Sequence, residues 1–215
     1  LRRLLGSLRL HIHGSSVSMK LLREYIRELL TEAAKGPADL PEGVFVEIID
    51  QGEHAKFRYV MKNPDDGKYY NSTSISGKVA VIKPDHPCGD AWEVALSHAE
   101  RGWGPMLYDV AMEWATQNGG GLVSDRSHVS PSAREVWNYY LSNRGDVQGV
   151  QLDDLKNTMT PEEEDNCRQA SASIGLSSAG MPKTLDFQES PLSKRYTKPP
   201  TTMNALEAAG KLVVT

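Results

Sequence analysis

Cysteine is scarce in this chain, which has only two, Cys88 and Cys167, among its 215 residues. Neither belongs to a spacing of ligands typical of a metal site, so we predict no metal. Small secreted domains that depend on disulfides carry more cysteines than this. We therefore predict two free thiols in a reducing compartment, which means a cytoplasmic location.

The chain also lacks a long apolar run and an excess of positive charge. No stretch approaches the length that spans a bilayer, and residues 1–10 lack the cleavage pattern of a signal peptide, so we expect no membrane as partner. Lys and Arg total 24 against 28 Asp and Glu, and the net charge is −4. This balance argues against nucleic acid as a partner, although a local basic patch would leave that class open.

The first 36 residues carry a pattern of their own. Because the chain starts at Leu1 and Met19 fits a native start, we predict that residues 1–18 are a leader, either non-native or translated from upstream. Residues 19–36 have apolar side chains at helical spacing, which predicts an amphipathic helix. That helix would pack on its own domain or bind a protein partner, and the sequence leaves both open. Its apolar face consists of Leu22, Ile26, Leu29 and Leu30.

Two hydrophobic periods follow each other in residues 43–153. Up to residue 99 the period is that of strands, and afterwards it becomes helical twice, with a short strand after each helix. We predict strands over 43–50, 54–62, 78–82, 91–99, 122–124 and 147–152, and helices over 105–118 and 131–143. The predicted fold class is α/β in its α+β form, a mixed, mostly antiparallel central sheet flanked by helices.

The last region, residues 154–215, has a weaker pattern. It is rich in Ser, Gly and Pro over 171–193, and only 160–165 and 204–212 indicate short helices. We predict an extended or partly disordered tail that wraps the domain or stays mobile.

Residues 100–106 (ERGWGPM) join a predicted strand to a predicted helix. A turn in this place aims backbone N–H groups and the positive end of the helix at one point, which suits an anion such as a pyrophosphate. Gly102 and Gly104 would let a phosphate approach the backbone closely, and Arg101 adds positive charge. A tight connection needs glycine even without a ligand, so the turn alone does not decide between these readings.

The wider pattern resembles the GNAT superfamily of acyl-CoA-dependent N-acetyltransferases. The segment that begins at Arg101 resembles the family motif R/Q-x-x-G-x-G/A, which opens the helix under the CoA pyrophosphate. Ser130, Ala133 and Trp137 follow the spacing of the second motif, N-x-x-A-x-x-x-Y. The resemblance covers about half the chain and implies a GNAT-like domain over 43–153 with acetyl-CoA as cofactor. The cofactor-binding residues it implies are Arg101, Gly102, Trp103, Gly104, Pro105 and Met106.

The chain departs from the family at three positions. Met106 stands where the family has Gly or Ala, and Pro105 lacks an N–H that could bind phosphate. Trp137 occupies the place of the tyrosine that protonates the departing thiolate, and an indole has no proton to give at a useful pKa. Tyr140 is the candidate substitute, with a role as a core aromatic as the alternative.

For the general base, the family draws a carboxylate or water from its central strands. Glu93 and His98 lie on the predicted strand 91–99 and are the candidates, because a base needs a suitable pKa and reach to the amine. A single histidine near a strand end is also ordinary without any catalytic role.

Two functions follow from the resemblance. The first is an acyl-CoA-dependent N-acetyltransferase that transfers an acetyl group from acetyl-CoA to an amine acceptor of unknown class. The second is a catalytically inactive binding or structural protein with the GNAT fold, such as a phage virion or accessory component, for which the three departures and the long tail speak. In a phage-encoded protein, the expected location is the host cytoplasm or the virion.

Overall fold

The computed structural model describes residues 34–155, 159–168, 174–176, 182–184 and 188–215. The predicted leader, 1–18, and nearly all of the predicted N-terminal helix, 19–36, lie outside these ranges. Both therefore stay predictions.

The described ranges contain three α-helices and thirteen strands. The helices are α1, Gly104–Gln117; α2, Pro131–Asn143; and α3, Thr201–Ala208. The strands are β1, Val44–Asp50; β2, His54–Lys62; β3, Tyr69–Asn71; β4, Gly77–Ile82; β5, Trp92–Ala99; β6, Leu122–Val123; β7, Gln148–Gln151; β8, Asp153–Asp154; β9, Asn166–Cys167; β10, Ile174–Leu176; β11, Pro182–Thr184; β12, Lys194–Thr197; and β13, Leu212–Val214. Every element predicted within residues 43–153 is present with its ends shifted by at most one residue, and β3 is an addition.

Nine of the described strands form one sheet, in the order β13-β1-β2-β4-β5-β6-β12-β7, with β3 paired to β2. The pairs β1–β2, β2–β4 and β4–β5 are antiparallel, as are those of β12 with β6 and β7. Two pairs are parallel, β1 with β13 and β5 with β6. The prediction of a mixed, mostly antiparallel sheet with helices is confirmed at this level.

Helix α1 packs on one face of the sheet and supplies the centre of the core. All ten residues from Met106 to Ala115 are buried. Trp114 packs edge-on against Phe57 of β2 and Trp92 of β5, with ring centroids 5.6 and 4.7 Å apart. Burial of each large side chain contributes about 2–3 kcal/mol, so α1 anchors the strands beneath it.

The C-terminal region adds two strands to this sheet. β12 lies between β6 and β7, and β13 lies beside β1 at the opposite edge. Tyr196 of β12 is fully buried and donates its hydroxyl to the Pro191 carbonyl at 2.6 Å. The sequence predicts a tail over 154–215 with short helices at 160–165 and 204–212, of which the structure contains the second as α3, Thr201–Ala208, and not the first. It predicts neither strand, because partners so distant in the chain leave no local signal for a three- or four-residue strand.

A disulfide joins Cys88 to Cys167, so the prediction of two free thiols is wrong. It ties the short 3-10 turn Cys88–Asp90 to β9, and both side chains are fully buried. A count of two cysteines argues against a framework of several disulfides but says nothing against a single one, which depends on what the fold brings together. The expectation of a reducing compartment loses its basis with the free thiols.

A buried ion pair fastens the C-terminal region to α1. Glu113 is 0% exposed and Lys198 is 1% exposed. The Lys198 ammonium donates to the Glu113 carboxylate and to Thr201 Oγ1. Glu113 also accepts the N–H groups of Thr202 and Met203 in the first turn of α3, at 2.8 and 2.7 Å. The carboxylate therefore compensates the positive helix end as well as the ammonium, which offsets the cost of its burial.

Replacing Lys198 by Met should destabilise the protein strongly. The change leaves Glu113 charged and buried without its counter-ion, for which we expect a loss of about 3–5 kcal/mol in the free energy of unfolding. Urea unfolding measures it, with Lys62→Met on the exposed end of β2 as control. The double variant Glu113→Gln, Lys198→Met should regain much of the loss, since no unpaired charge remains. Equal losses in the single and double variants would contradict this account.

Candidate functional site

Strand β5 contains a β-bulge that changes which residues face α1. Ala80 of β4 lies opposite Leu96, whereas Val81 lies opposite Val94, so Ala95 has no partner of its own. An extra residue in one strand reverses the alternation of its side chains. Val94 therefore faces α1 before the bulge, and Ser97 faces it afterwards, while Leu96 turns to the other face.

The strands β5 and β6 separate just before this bulge. They pair only at Trp92 with Leu122 and at Glu93 with Val123. β6 ends there, but β5 continues to Ala99, and within the described residues its edge on that side has no further strand partner. A cleft of about 210 Å³ lies beside the part of β5 that extends beyond the end of β6. Its lining includes Val94 and Ser97 of β5, Tyr108 of α1, and Ser130, Ala133 and Trp137 around the start of α2.

Aromatic side chains line the α1 side of this cleft. The Tyr108 hydroxyl donates to Ser97 Oγ at 2.8 Å. Its ring meets the edge of Trp137, with centroids 5.9 Å apart, and Trp137 packs on Tyr196 at 5.0 Å. Burial raises the pKa of Tyr108, so its hydroxyl keeps its proton in neutral solution. Tyr108 is not among the site residues predicted from the sequence, although helical spacing places it on the same side of α1 as Gly104.

Helix α2 starts beside the cleft with an N-terminal cap. Ser130 Oγ accepts the N–H of Ala133 at 3.2 Å, and Pro131 occupies the first helical position. Both are common at helix starts, and the sequence predicted them. The second motif therefore sets where α2 begins and so where Trp137 lies.

The turn after β5 presents the start of α1. The Gly102 carbonyl accepts the Lys35 N–H at 2.9 Å, and the Trp103 carbonyl accepts the Tyr59 hydroxyl at 2.6 Å. These bonds hold the carbonyl groups of the turn. The first N–H groups of α1 have no acceptor within the helix. Arg101 is exposed beside them.

The two glycines of the turn differ in what they require. Gly102 has φ +86°, a conformation that other residues rarely adopt. Gly104 has no such angle, and a Cβ there would meet only the Ala99 Cβ, at 3.6 Å, which is ordinary contact. The fold therefore needs glycine at 102 but not at 104.

Tyr140 lies in an ion-pair cluster between α1 and α2. Its hydroxyl donates to Asp109 Oδ1 at 2.9 Å, and Arg144 donates to both oxygens of the same carboxylate, at 3.1 and 2.9 Å. Burial, and next the charge of Asp109, hold the pKa of Tyr140 well above its usual value. Tyr140 is not among the described residues that line the cleft.

Glu93 and His98 lie apart on β5. Glu93 is half-buried and accepts the Arg126 N–H at 2.7 Å. Burial raises its pKa, against the opposing effect of that hydrogen bond. It lines a small cavity of about 180 Å³ near Cys88. His98 is exposed on the face away from α1, opposite Lys78. The three residues predicted as catalytic, Tyr140, Glu93 and His98, are thus not brought together.

No match to this chain is found among protein-family models, curated proteins or solved structures. In the described ranges, no cluster of three or more His, Cys, Asp or Glu side chains could hold a metal ion. None of the described helices combines the length and the apolar composition that crossing a membrane requires.

The ion-pair cluster around Tyr140 predicts that the protein loses stability at acid pH. Arg144 donates to both oxygens of Asp146, at 2.8 and 2.7 Å, and these bonds lower the pKa of Asp146 from 3.8 to about 2. A carboxyl with a lowered pKa contributes stability above its unfolded pKa, which is lost as the pH falls towards about 2.

We therefore expect Asp146→Asn to be less stable than the wild type at pH 7 and to lose less stability between pH 4 and pH 2. Thermal unfolding over that pH range measures both effects. The matched control is Asp65→Asn, an exposed carboxyl in the loop between β2 and β3. Parallel stability curves for the wild type and Asp146→Asn would show that the pair contributes nothing.

Proposed function

We propose that the chain is an acyl-CoA-dependent N-acetyltransferase of the GNAT kind, which transfers an acetyl group from acetyl-CoA to an amine acceptor. The observation that carries the proposal is that β5 stops pairing with β6 at Glu93, just before the Ala95 bulge, and continues towards the glycine turn that opens α1. A thioester arm could lie along this edge of β5, which has no further strand partner among the described residues, while its pyrophosphate reaches the turn.

The turn supplies the means to hold the pyrophosphate. The N–H groups of Gly104 and Met106 belong to the first helical turn, where the positive end of the helix attracts an anion. Arg101 adds an exposed guanidinium, and Gly104 keeps the approach free of a side chain. Pro105 contributes no N–H, so this turn offers one donor fewer than another residue would give.

The reaction needs one base and one acid. The neutral amine attacks the thioester carbonyl, and N–H groups on the free edge of β5 stabilise the negative charge on its oxygen. The C–N bond forms, the C–S bond breaks, the nitrogen gives its proton to water, and the sulfur takes one as it leaves. Glu93 and His98 remain predictions for a base that would assist this water.

Tyr108 is the residue best placed to protonate the sulfur. It lines the cleft and stays protonated because burial raises its pKa. Trp137, at the position of the family's tyrosine, has no such proton. Tyr140 donates to the charged Asp109 carboxylate and does not line the cleft, whereas Tyr108 donates only to the neutral Ser97 hydroxyl. The acid would thus come from α1 instead of α2.

The alternative is a binding or structural protein that keeps this fold without transfer. The observation in its favour is that Trp137 and Tyr140 both fail as acids in their present surroundings. In that case the cleft would bind a CoA thioester without turnover, or none at all.

Substitutions in the turn separate cofactor binding from folding. Gly104→Val should abolish acetyl-CoA binding with little change in the melting temperature, because the fold tolerates a Cβ at residue 104. Gly102→Ala should instead cost about 1–2 kcal/mol of stability. Arg101→Ala should weaken binding by about 1–2 kcal/mol, as expected for a partly solvated charged contact. Calorimetric titration with acetyl-CoA measures the affinities, and absence of wild-type binding at millimolar ligand would end the proposal.

Removal of the Tyr108 hydroxyl tests the acid. Tyr108→Phe should lower kcat about 100-fold while the affinity for acetyl-CoA stays unchanged, since a general acid acts only in the transfer step. Ser97→Ala is the matched control, because it removes the hydrogen bond and keeps the acid. Wild-type kcat in Tyr108→Phe would exclude this role, and an equal loss in Ser97→Ala would indicate a purely structural one.

A further inference from the structure

A second and larger groove lies on the face of the sheet away from α1. Its volume is about 580 Å³, and it is lined by residues of β1, β2, β3, β4 and β5 and by Ser72, Ile75 and Ser76. Ile49, Ile75 and Leu96 give it apolar contacts. Beside neutral polar groups, its lining contains four basic side chains, Lys56, Arg58, Lys78 and His98. The described residues that line the groove include no Asp or Glu.

The strand register determines how the basic side chains are arranged. Glu47 lies opposite Arg58, Arg58 opposite Lys78, and Lys78 opposite His98, so one row crosses four strands. Arg58 Nε donates to the Glu47 carboxylate at 2.6 Å. Lys78 therefore stands between a guanidinium and an imidazole. The charge of Arg58 is offset by Glu47, whereas Lys78 has no ion pair among the described residues, so its ammonium is the group that a bound anion would compensate.

The groove and the cleft meet at β5. Leu96 lines both, and 47% of its surface is exposed. The bulge at Ala95 is the reason, because it sends Leu96 and His98 to the groove side while Ser97 stays on the α1 side with Tyr108. A molecule in the groove can therefore reach the thioester in the cleft across the edge of β5 at Leu96.

We infer that this groove is the acceptor site and that the acceptor carries an anionic group, a carboxylate or a phosphate, in addition to its amine. The inference rests on the proposed function for the transfer step. The anionic group binds at Lys78 and its basic neighbours, the carbon skeleton contacts Ile49 and Ile75, and the amine points past Leu96. A polyamine, which brings only positive charge, is repelled by Lys56 and Lys78.

The test compares acceptors that differ only in the anion. With saturating acetyl-CoA, kcat/KM is measured by release of the CoA thiol for glucosamine 6-phosphate against glucosamine, for glycine against glycinamide, and for spermidine. At least one anionic acceptor should exceed its neutral partner about tenfold or more, as a charge-assisted contact provides. The two pairs distinguish a phosphate from a carboxylate.

Two variants then test whether Lys78 causes the preference for the anionic acceptor. Lys78→Gln should lose about tenfold for the anionic acceptor and leave the neutral one unchanged. Lys62→Gln, an equal change of charge on β2 outside the groove, should keep the full preference. Equal rates within both pairs, a preference for spermidine, or an unaffected anionic acceptor in Lys78→Gln would each overturn the inference.

Calorimetry keeps the two proposals apart. If acetyl-CoA binds but no anionic acceptor is favoured, the inference fails and the proposed cofactor site stands. If acetyl-CoA does not bind, the proposed function fails, and the acceptor role of the groove fails with it. Binding of glucosamine 6-phosphate that disappears in Lys78→Gln would then show an anion site of another purpose.

Discussion

The contact between Glu113 and Lys198 holds the C-terminal region against the sheet, and the site depends on it. Lys198 directly follows β12, and Glu113 accepts N–H groups in the first turn of α3. One carboxylate therefore fixes both β12 and α3. β12 then lies between β6 and β7, which places Tyr196 against Trp137. The wall of the cleft at Trp137 is thus supported by the ion pair between Lys198 and Glu113. Glu113 lies towards the end of α1 that is away from the glycine turn.

The bulge at Ala95 is the second constraint, because it divides the surroundings of β5 into two. Without the extra residue, Leu96 would face α1 with Val94, and Ser97 would face the open side of the sheet. With it, Ser97 meets Tyr108, while Leu96 and His98 line the groove. One residue therefore separates the cleft in which we propose the thioester from the basic groove in which we propose the acceptor, and leaves the edge of β5 between them.

The elements of residues 43–153 could be predicted because each depends mainly on local periodicity and on caps such as Ser130 with Pro131. β12 and β13 could not, since four and three residues gain their hydrogen bonds from strands that lie far away in sequence. The disulfide likewise depends on tertiary contact between Cys88 and Cys167. The same limit applies to the site: motif spacing pointed to Trp137, with Tyr140 as a nearby substitute, whereas the proposal for Tyr108 depends on the packing that places its side chain beside the cleft.

Under the proposed function, Trp137 in the place of the family's tyrosine would have a limited physical effect. An indole fills the space of a phenol and makes aromatic contacts with Tyr108 and Tyr196, so it can form the same wall of the cleft. What it would not supply is one acidic hydrogen, which would affect the transfer step and not the binding of a thioester. Tyr108 carries such a hydrogen, with its ring centroid 5.9 Å from that of Trp137, on a helix whose position is fixed by the core. Its side chain lines the cleft, and its hydroxyl would exchange the hydrogen bond to Ser97 for one to the sulfur. The tryptophan by itself is therefore weak evidence for a protein that only binds.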